Sequence, residues 1–171
     1  NKVGGANNVT ETGTNNTYIM GENNTISGIG RNNIVIGSNH EISNGINNAS
    51  IFGNYGIAQR QGEVVVGGGG FSGAGIGNAQ SSTIALTGTT TDATATSLFV
   101  NGNTSTTIIA RATTTGSFQG FEANVIGVRT GGSAGAGAVN DRAFLRATGI
   151  VYLKAVDQSI ENLGDYGDMR G

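Results

Sequence analysis

The fold of this chain is decided by residues 5–53, which read GANNVTETGTNNTYIMGENNTISGIGRNNIVIGSNHEISNGINNASIFG. Glycines occupy positions 5, 13, 21, 30, 37, 45 and 53, and two residues after each of the first six comes Asn-Asn or, once, Asn39-His40. Alternate glycines, at 5, 21, 37 and 53, are sixteen residues apart, whereas the interleaved glycines deviate by one residue. The repeating unit is therefore a sixteen-residue pair of halves.

Each half of the repeat has the features of a short strand followed by a corner. Apolar residues alternate with other residues, as in Ile34/Ile36 and Thr17/Ile19, which is the period of a strand with one buried face. Gly and Asn favour turns with positive φ, and Asn-Asn after Gly is poor helix material. Two strands in sixteen residues predict one coil of a β-solenoid or β-roll. Successive coils should stack about 4.8 Å apart, with hydrogen-bonded Asn ladders that need no ligand.

The two halves of the repeat differ in apolar content. The second half contains Tyr18-Ile19-Met20, Ile34-Val35-Ile36 and Ser50-Ile51-Phe52, whereas the first half contributes one apolar residue or so, namely Val9, Ile26 or Ile42. We expect so thin a coil to enclose little, and a single chain to bury too little apolar surface to offset the ordering of a Gly-rich backbone. The asymmetry predicts self-association around a shared core.

The repeat resembles that of a family of fibrous proteins. Its pattern is G-x-N-N-x-I-x-G alternating with x-x-I-x-G, as in Asn33-Ile34-Val35-Ile36-Gly37 and Asn48-Ala49-Ser50-Ile51-Phe52-Gly53. This pattern is similar to the head repeats of YadA-like trimeric autotransporter adhesins, although those repeats have more Ala and Ser where this chain has Asn. It is more similar still to the Asn-rich version in bacteriophage tail fibres. The resemblance covers about the first third of the chain and implies a left-handed β-roll with three chains per fibre.

The remaining residues are predicted to form a linker and a second β module. We assign residues 1–66 to the repeat, because Glu63-Val64-Val65-Val66-Gly67 restores the strand pattern near the closure of a fourth coil. Residues 67–80 are Gly-rich and are assigned to a linker. Residues 81–171 are assigned to an antiparallel β-sandwich, incomplete at its C-terminal end. Its predicted strands lie at 82–87, 94–101, 106–111, 116–130 and 143–155.

The second module has a resemblance of its own. Residues 84–99, followed by Phe118-Gln119-Gly120-Phe121-Glu122-Ala123 and Val128-Arg129-Thr130, are similar to the β-sandwich modules that end many phage tail fibres. The similarity spans residues 82 to about 155, and that family continues with further strands where this chain has the polar segment 157–171. Together the two resemblances imply an all-β fibre segment, intertwined as a homotrimer.

The composition limits the classes of partner. Only 12% of residues are charged and the net charge is −2, so we expect no binding to nucleic acid or to an anionic membrane surface. The chain lacks Cys, which excludes disulfides and thiolate metal sites. No apolar run approaches the roughly 18 residues of a membrane-spanning helix, so no membrane insertion is predicted. Because the chain begins within a repeat and without Met, we expect it to be a piece of a longer protein.

Few residues suggest catalysis or a cofactor. His40 is the only histidine and occupies an Asn position of the repeat, which favours a spacer on the roll surface or in the ladder over a ligand. The run Gly67 to Gly70 and the pattern Gly73-x-Gly75-x-Gly77 lack the helix and the lysine of a phosphate-binding loop. We therefore predict no enzyme and no catalytic, cofactor-binding or metal-binding residue. The acidic residues also lack the spacing of metal ligands: Glu11, Glu22, Glu41, Glu63, Asp92, Glu122 and Asp141.

Receptor contact remains as a role for exposed loops. The candidates are Arg129, Asp141 and Arg142 in the loop 129–142, and the tail 152–166. The same loops are equally well explained as the solvated ends of a sandwich.

These observations predict a structural and adhesive segment of a trimeric phage tail fibre. Its partners would be two further copies of the chain and a bacterial surface glycan or envelope protein, and its location would be the virion. One alternative is a bacterial trimeric adhesin or an extracellular filament subunit, at the cell surface or outside the cell. Two others are a tailspike-type glycan hydrolase, which needs a pair of carboxylates in one groove, and an ice-binding solenoid. Thr recurs at no fixed position of residues 5–53, which disfavours ice binding.

Overall fold

The computed structural model describes residues 1–69, 75–91, 97–100, 118–131, 138–153 and 160–162. Within these ranges the protein is all-β, with thirteen strands and no helix. Strands β1 to β9 are Lys2–Gly4, Val9–Thr10, Tyr18–Glu22, Thr25–Ile26, Ile34–Ser38, Glu41–Ile42, Ser50–Asn54, Ile57–Ala58 and Val64–Gly68. Strands β10 to β13 are Gln80–Thr83, Phe118–Val128, Arg142–Leu153 and Ile160–Asn162. The chain divides into two compact units, of which the first contains Asn1–Thr89.

The first unit contains the predicted β-solenoid. Strands β1, β3, β5, β7 and β9 pair in parallel in a six-stranded sheet, while β2, β4, β6 and β8 pair in parallel in a four-stranded sheet. Ile19 pairs with Val35 and Val35 with Ile51, so the register advances by sixteen residues per coil. Each of these coils contains one five-residue and one two-residue strand. The prediction of sixteen-residue, two-strand coils is confirmed.

The core of the solenoid lies between its two sheets. Nine buried apolar residues of one chain form a single cluster: Ile19, Ile26, Val35, Ile42, Ile46, Ala49, Ile51, Ala58 and Val65. The expectation that the coil encloses little is thus corrected. The expectation was wrong because it neglected the short strands. These strands have few apolar residues, but Ile26, Ile42 and Ala58 lie inside the coil with the buried residues of the long strands.

The corners explain the abundance of Asn and Gly. Six asparagines have φ from 50° to 58°: Asn7, Asn16, Asn23, Asn32, Asn39 and Asn48. Asn tolerates this left-handed conformation better than most residues with a side chain. Gly37, with φ of +130°, has a stricter requirement, because a Cβ there would lie 1.8 Å from the carbonyl oxygen of Gly53 in the next coil.

The residue that follows the left-handed Asn at a corner forms the predicted ladder inside the coil. The Asn24 side-chain nitrogen donates to Asn8 Oδ1 at 3.0 Å, and Asn24 Oδ1 accepts the backbone N–H of His40 at 3.0 Å. At the opposite corner, Asn33 Oδ1 accepts the backbone N–H of Ala49 at 2.9 Å. The ladder satisfies buried backbone groups that would otherwise lack a partner, so its structural role is confirmed.

The irregular glycine spacing leaves the register unchanged. Bridges from Asn15 to Arg31 and from Arg31 to Asn47 keep the sixteen-residue period past Gly30. Ile29 therefore occupies the position that Gly13 and Gly45 hold in their coils.

The last coil is two residues shorter than the others. Ile51 pairs with Val65, fourteen residues later, whereas β6 and β8 keep the sixteen-residue register. The shorter corner is held by a buried ion pair in which Arg60 Nη1 lies 2.9 Å from Glu63 Oε1. Glu63 Oε2 also accepts the backbone N–H groups of Gln59 and Arg60, at 2.8 and 3.0 Å. This carboxylate bonds within its own corner, whereas the Asn33 amide bonds to the next coil.

The end of the solenoid is capped by strand β10. Strand β10 pairs with β9 in antiparallel orientation, with Ser81 opposite Val66. Gln80 Oε1 accepts the Ile57 N–H at 2.8 Å, and Gln80 Nε2 donates to the Ile57 carbonyl at 3.1 Å. Both sheets are thereby covered at this end. Because β9 continues through Gly68 and β10 begins at Gln80, the segment between these strands is shorter than the linker assigned to residues 67–80.

The second unit contains an antiparallel sheet in the order β11, β12, β13. Eleven residue pairs join β11 to β12, from Phe118 opposite Tyr152 to Val128 opposite Arg142, which confirms the two long strands. The described residues of this unit form one sheet, so a β-sandwich stays a prediction. In the predicted strands upstream, Thr87 bridges Phe99 in antiparallel orientation, and 106–111 lies outside the described residues.

Candidate interaction surface

The outer face of the six-stranded sheet carries large apolar side chains, which we term the apolar stripe. It consists of Met20, Ile34, Ile36, Phe52, Val64 and Val66, each between 37% and 53% exposed. Because successive side chains of a strand point to opposite faces, the stripe lies on the reverse of the core residues Ile19, Val35, Ile51 and Val65. The long strands are therefore apolar on both faces.

In-register pairing aligns the stripe in two neighbouring columns. One column contains Tyr18, Ile34, Ser50 and Val64, and the other contains Met20, Ile36, Phe52 and Val66. Lys2, in the edge strand β1, is the one charged residue of these fully described columns. Its ammonium nitrogen lies 5.7 Å from the centre of the Tyr18 ring, so the charge is at one end of the stripe.

The outer face of the four-stranded sheet is chemically different. Its column contains Val9, Thr25, Glu41 and Ile57, and Gln80 bonds to the backbone of Ile57. Thr does not recur from coil to coil in this column. The solenoid thus presents an extended apolar surface on its long-strand face and a mixed column on its short-strand face.

The predicted receptor-contact residues meet at one end of the β11–β12 hairpin. The backbone N–H of Arg129 donates to the carbonyl of Asp141 at 2.9 Å, and Arg142 is the first residue of β12. The Asp141 carboxylate accepts the backbone N–H of Ala138 at 2.5 Å, so Asp141 stabilises the turn itself. Asn140 has φ of 75° there. The sequence grouped these residues correctly in space, whereas a receptor role for them stays a prediction. In the other candidate segment, 152–166, the structure describes only backbone pairing.

The hairpin exposes apolar residues on both faces. Directly opposed residues of an antiparallel pair share a face, so Ile126 and Phe144 lie on one face and Val125 and Leu145 on the other. Ile126, Phe144 and Leu145 are 74%, 68% and 61% exposed, respectively. Arg142 shares the face of Phe144, two residues away along the strand.

A polar cluster lies on the same face as Phe144. Asn124 donates to Glu122 at 3.2 Å, and Arg146 lies 3.1 Å from Glu122. The hydrogen bond from Asn124 and the adjacent positive charge of Arg146 lower the pKa of the Glu122 carboxyl. This face therefore combines an exposed aromatic ring with fixed charges, which is a chemistry suited to a polar or glycan ligand.

The other residues that the sequence suggested for chemistry lie apart. His40 is in the ladder and only 1% exposed, so of the two predicted locations the ladder is correct and the roll surface is not. Gly67 and Gly68 belong to β9, and Gly77 donates its backbone N–H to Tyr55. Among the described residues, no three His, Asp or Glu side chains are grouped so as to hold a metal ion.

Sequence reasoning missed Arg60, Glu63 and Gln80, which organise the end of the solenoid. The signal for the ion pair was its i,i+3 spacing inside a corner two residues short. Gln80 had no such signal, because its partner Ile57 is twenty-three residues away.

Comparisons with family models, curated proteins and solved structures found no significant match for this chain. In the described part of the chain, no helix has the length and hydropathy needed to cross a membrane.

Proposed function

We propose that this chain is a structural and adhesive segment of a homotrimeric fibre, of the kind found in bacteriophage tail fibres, which attaches a virion to its bacterial host. The observation that carries the proposal is the apolar stripe. A solenoid with its own complete core has no intramolecular need for six large exposed apolar side chains on one flat face.

Covering the apolar stripe would stabilise an assembly. Burial of an Ile, Phe or Val that is about half exposed contributes roughly 1 kcal/mol. Adjacent large apolar side chains on a soluble protein are typical of interaction surfaces. The stripe gains this free energy only if a partner excludes water along several coils at once.

Further copies of this chain are the partner that we propose for the stripe. Between Tyr18 and Val66 its columns carry no charged residue, so identical copies can approach without opposing like charges. The repeated coils give every copy the same spacing along the stripe. Three such faces close around one axis, as cyclic symmetry allows, and the resemblance of the repeat to trimeric proteins supports this number.

The adhesive role rests on the hairpin. Phe144, Ile126 and Arg142 form an exposed aromatic, aliphatic and cationic group on one face of the sheet. We propose that this face contributes contacts to a bacterial surface glycan or envelope protein. Three copies would act together and raise the apparent affinity by roughly 10²- to 10⁴-fold. The same stripe also suits a bacterial adhesin or an extracellular filament subunit, which would differ in location rather than in assembly.

The test combines oligomer mass with binding. Light scattering of the soluble chain is expected to give three chains per particle, and the particles should bind purified envelope material from a panel of bacteria. Ile36→Glu places a charge in the centre of the stripe and should convert the trimer to monomers. Envelope binding should then weaken by about 10² or more through the loss of avidity.

Val9→Glu is the matched control. Val9 is 50% exposed, similar to Ile36 at 42%, but belongs to the mixed column on the other sheet. It should leave both mass and binding unchanged. A monomeric wild-type chain would overturn the trimer, whereas a trimer that binds no envelope would overturn only the adhesive role. New reducing ends in the envelope polysaccharide would indicate a hydrolase instead.

A further inference from the structure

His40 replaces Asn in the internal ladder and continues it with different chemistry. Its backbone N–H donates to Asn24 Oδ1 at 3.0 Å, as an Asn at this position would. Its ring nitrogen Nδ1 accepts the backbone N–H of Gly56 at 2.9 Å. This bond joins the coil that contains β5 to the coil that contains β7. The ring thus connects two coils through a bond that requires an unprotonated Nδ1.

The other ring nitrogen has no comparable bond. His40 Nε2 is buried and makes no hydrogen bond to any described residue. Gly53 is near enough to affect its protonation, although the geometry is not that of a hydrogen bond to Nε2. The equivalent amide nitrogen of Asn24 donates to the carbonyl of Gly37 at 2.9 Å. The Nε2 donor of the histidine therefore lacks the hydrogen bond that the amide nitrogen of an Asn makes at the equivalent position.

The space around the ring excludes a bound ligand. A Cβ at Gly37 would lie 2.7 Å from Nε2, and one at Gly56 would lie 3.2 Å from Nδ1. A side chain at position 37 would collide with the ring, and one at position 56 would be in tight contact with it. The ring is enclosed by backbone, which leaves protonation as the chemistry open to it.

Charged and titratable side chains near this corner do not compensate a charge on the ring. Glu41 alternates with the buried Ile42 and so points to the outer face of its strand. Glu22 in the preceding coil is exposed, as is Tyr55 in the following coil. None of the three is among the influences on the pKa of His40, which are burial and three backbone groups.

We propose that His40 is an acid-sensitive clasp between the coils that contain β5 and β7, and that its protonation opens this part of the solenoid. A proton on Nδ1 removes the acceptor for the Gly56 N–H and places an unpaired charge in the core. The clasp holds at neutral pH and opens on acidification, while the ladder step between Asn8 and Asn24 in the preceding coils is retained.

The direction of the pH dependence follows from the same geometry. Burial lowers the pKa of His40 below its usual 6.5, and the backbone groups of Gly53 and Ile36 oppose this only in part. The unfolded chain therefore binds the proton more tightly than the folded chain. The stabilisation is complete above about pH 6.5 and is lost as the pH falls toward the lower, folded pKa.

Hydrogen exchange of the protein as isolated, between pH 7.5 and 5, tests the clasp. After correction for intrinsic exchange, opening at Gly56 and Ile57 should rise by about tenfold for each pH unit below 6.5 until the folded pKa is reached. His40→Asn restores the repeat and should abolish the rise.

Two outcomes would overturn the clasp. One is an equal rise of opening at Gly56 and Ile57 in the His40→Asn variant. The other is the same rise of opening at Ile19, which lies in the coil before that of His40. Should His40→Asn not fold, the His40 ring resonances of the wild-type protein decide. These resonances should shift with pH only when exchange at Gly56 and Ile57 shows that the coil has opened. A ring that titrates at its usual pKa while these amides stay protected would refute the proposal.

Discussion

The solenoid and the hairpin sheet differ in how far they bury the apolar residues of their strands. The coils that contain β3, β5 and β7 each contribute an apolar residue of the long strand and one of the short strand to a single core cluster within one chain. The hairpin has longer strands and more paired residues, yet Ile126, Phe144 and Leu145 remain more than 60% exposed. Strand length and pairing alone therefore do not give a strand pair a core.

The difference teaches where stability resides in each region. In the solenoid it lies in close contacts between coils, where glycines, amides and one ion pair fit a buried backbone. In the hairpin it lies in backbone pairing and in surface groups that water can replace. Substitutions that are chemically alike should consequently differ in effect between the two regions.

The largest effect is expected where coils are in closest contact. Gly37→Ala places a Cβ 1.8 Å from the Gly53 oxygen at φ of +130°, and should destabilise the solenoid by more than about 3 kcal/mol. Gly45→Ala is the matched control, since Gly45 also has positive φ but no described atom within 4 Å of its Cβ. It should cost about 1 kcal/mol. Chemical denaturation followed by circular dichroism measures both, and equal costs would show that the coils are less tightly stacked.

One buried and one surface ion pair among the described residues give the next largest contrast. Glu63→Ala removes a carboxylate that is 0% exposed, together with its ion pair to Arg60 and its bonds to two backbone N–H groups. We expect a loss of about 3–5 kcal/mol in the free energy of unfolding. Glu122→Ala breaks the surface pair with Arg146, where water can replace the partner, and should leave stability unchanged. A large effect of Glu122→Ala would mean that this face of the hairpin is shielded from water.

The sequence predicted the solenoid well because its signal is local and repeated. Coil length, strand positions and the ladder all follow from glycine spacing and apolar alternation, which a fixed backbone geometry imposes on every turn. The enclosed core was underestimated, because one Ile in a two-residue strand is a faint signal until the facing strand is known. Ile26 and Ile42 are fully buried in the same core cluster as the long-strand residues.

The candidate surfaces were harder to predict for a related reason. The apolar content of the long strands was evident, but only the structure divides it into the inward Val35 and the outward Ile34 and Ile36. The role of Gln80 could not have been predicted, because its side-chain amide bonds to the backbone of Ile57, which is twenty-three residues away in sequence. Arg129 and Arg142 were grouped correctly because a hairpin brings its ends together whatever their role.

The smallest expected effects distinguish two asparagines that are adjacent in sequence. Asn24 is buried and its Oδ1 accepts the His40 N–H, so Asn24→Ala leaves a buried donor unpaired and should cost about 1–3 kcal/mol. Asn23 is exposed and supplies a φ of 56°, so Asn23→Ala should cost about 1 kcal/mol and Asn23→Gly close to nothing. Asn140 has φ of 75° in the hairpin turn, and its Gly variant should be equally neutral. Denaturation midpoints of the four variants would refute this division if Asn23→Gly proved as costly as Asn24→Ala, because backbone conformation would then not be the role of the first Asn in the pair.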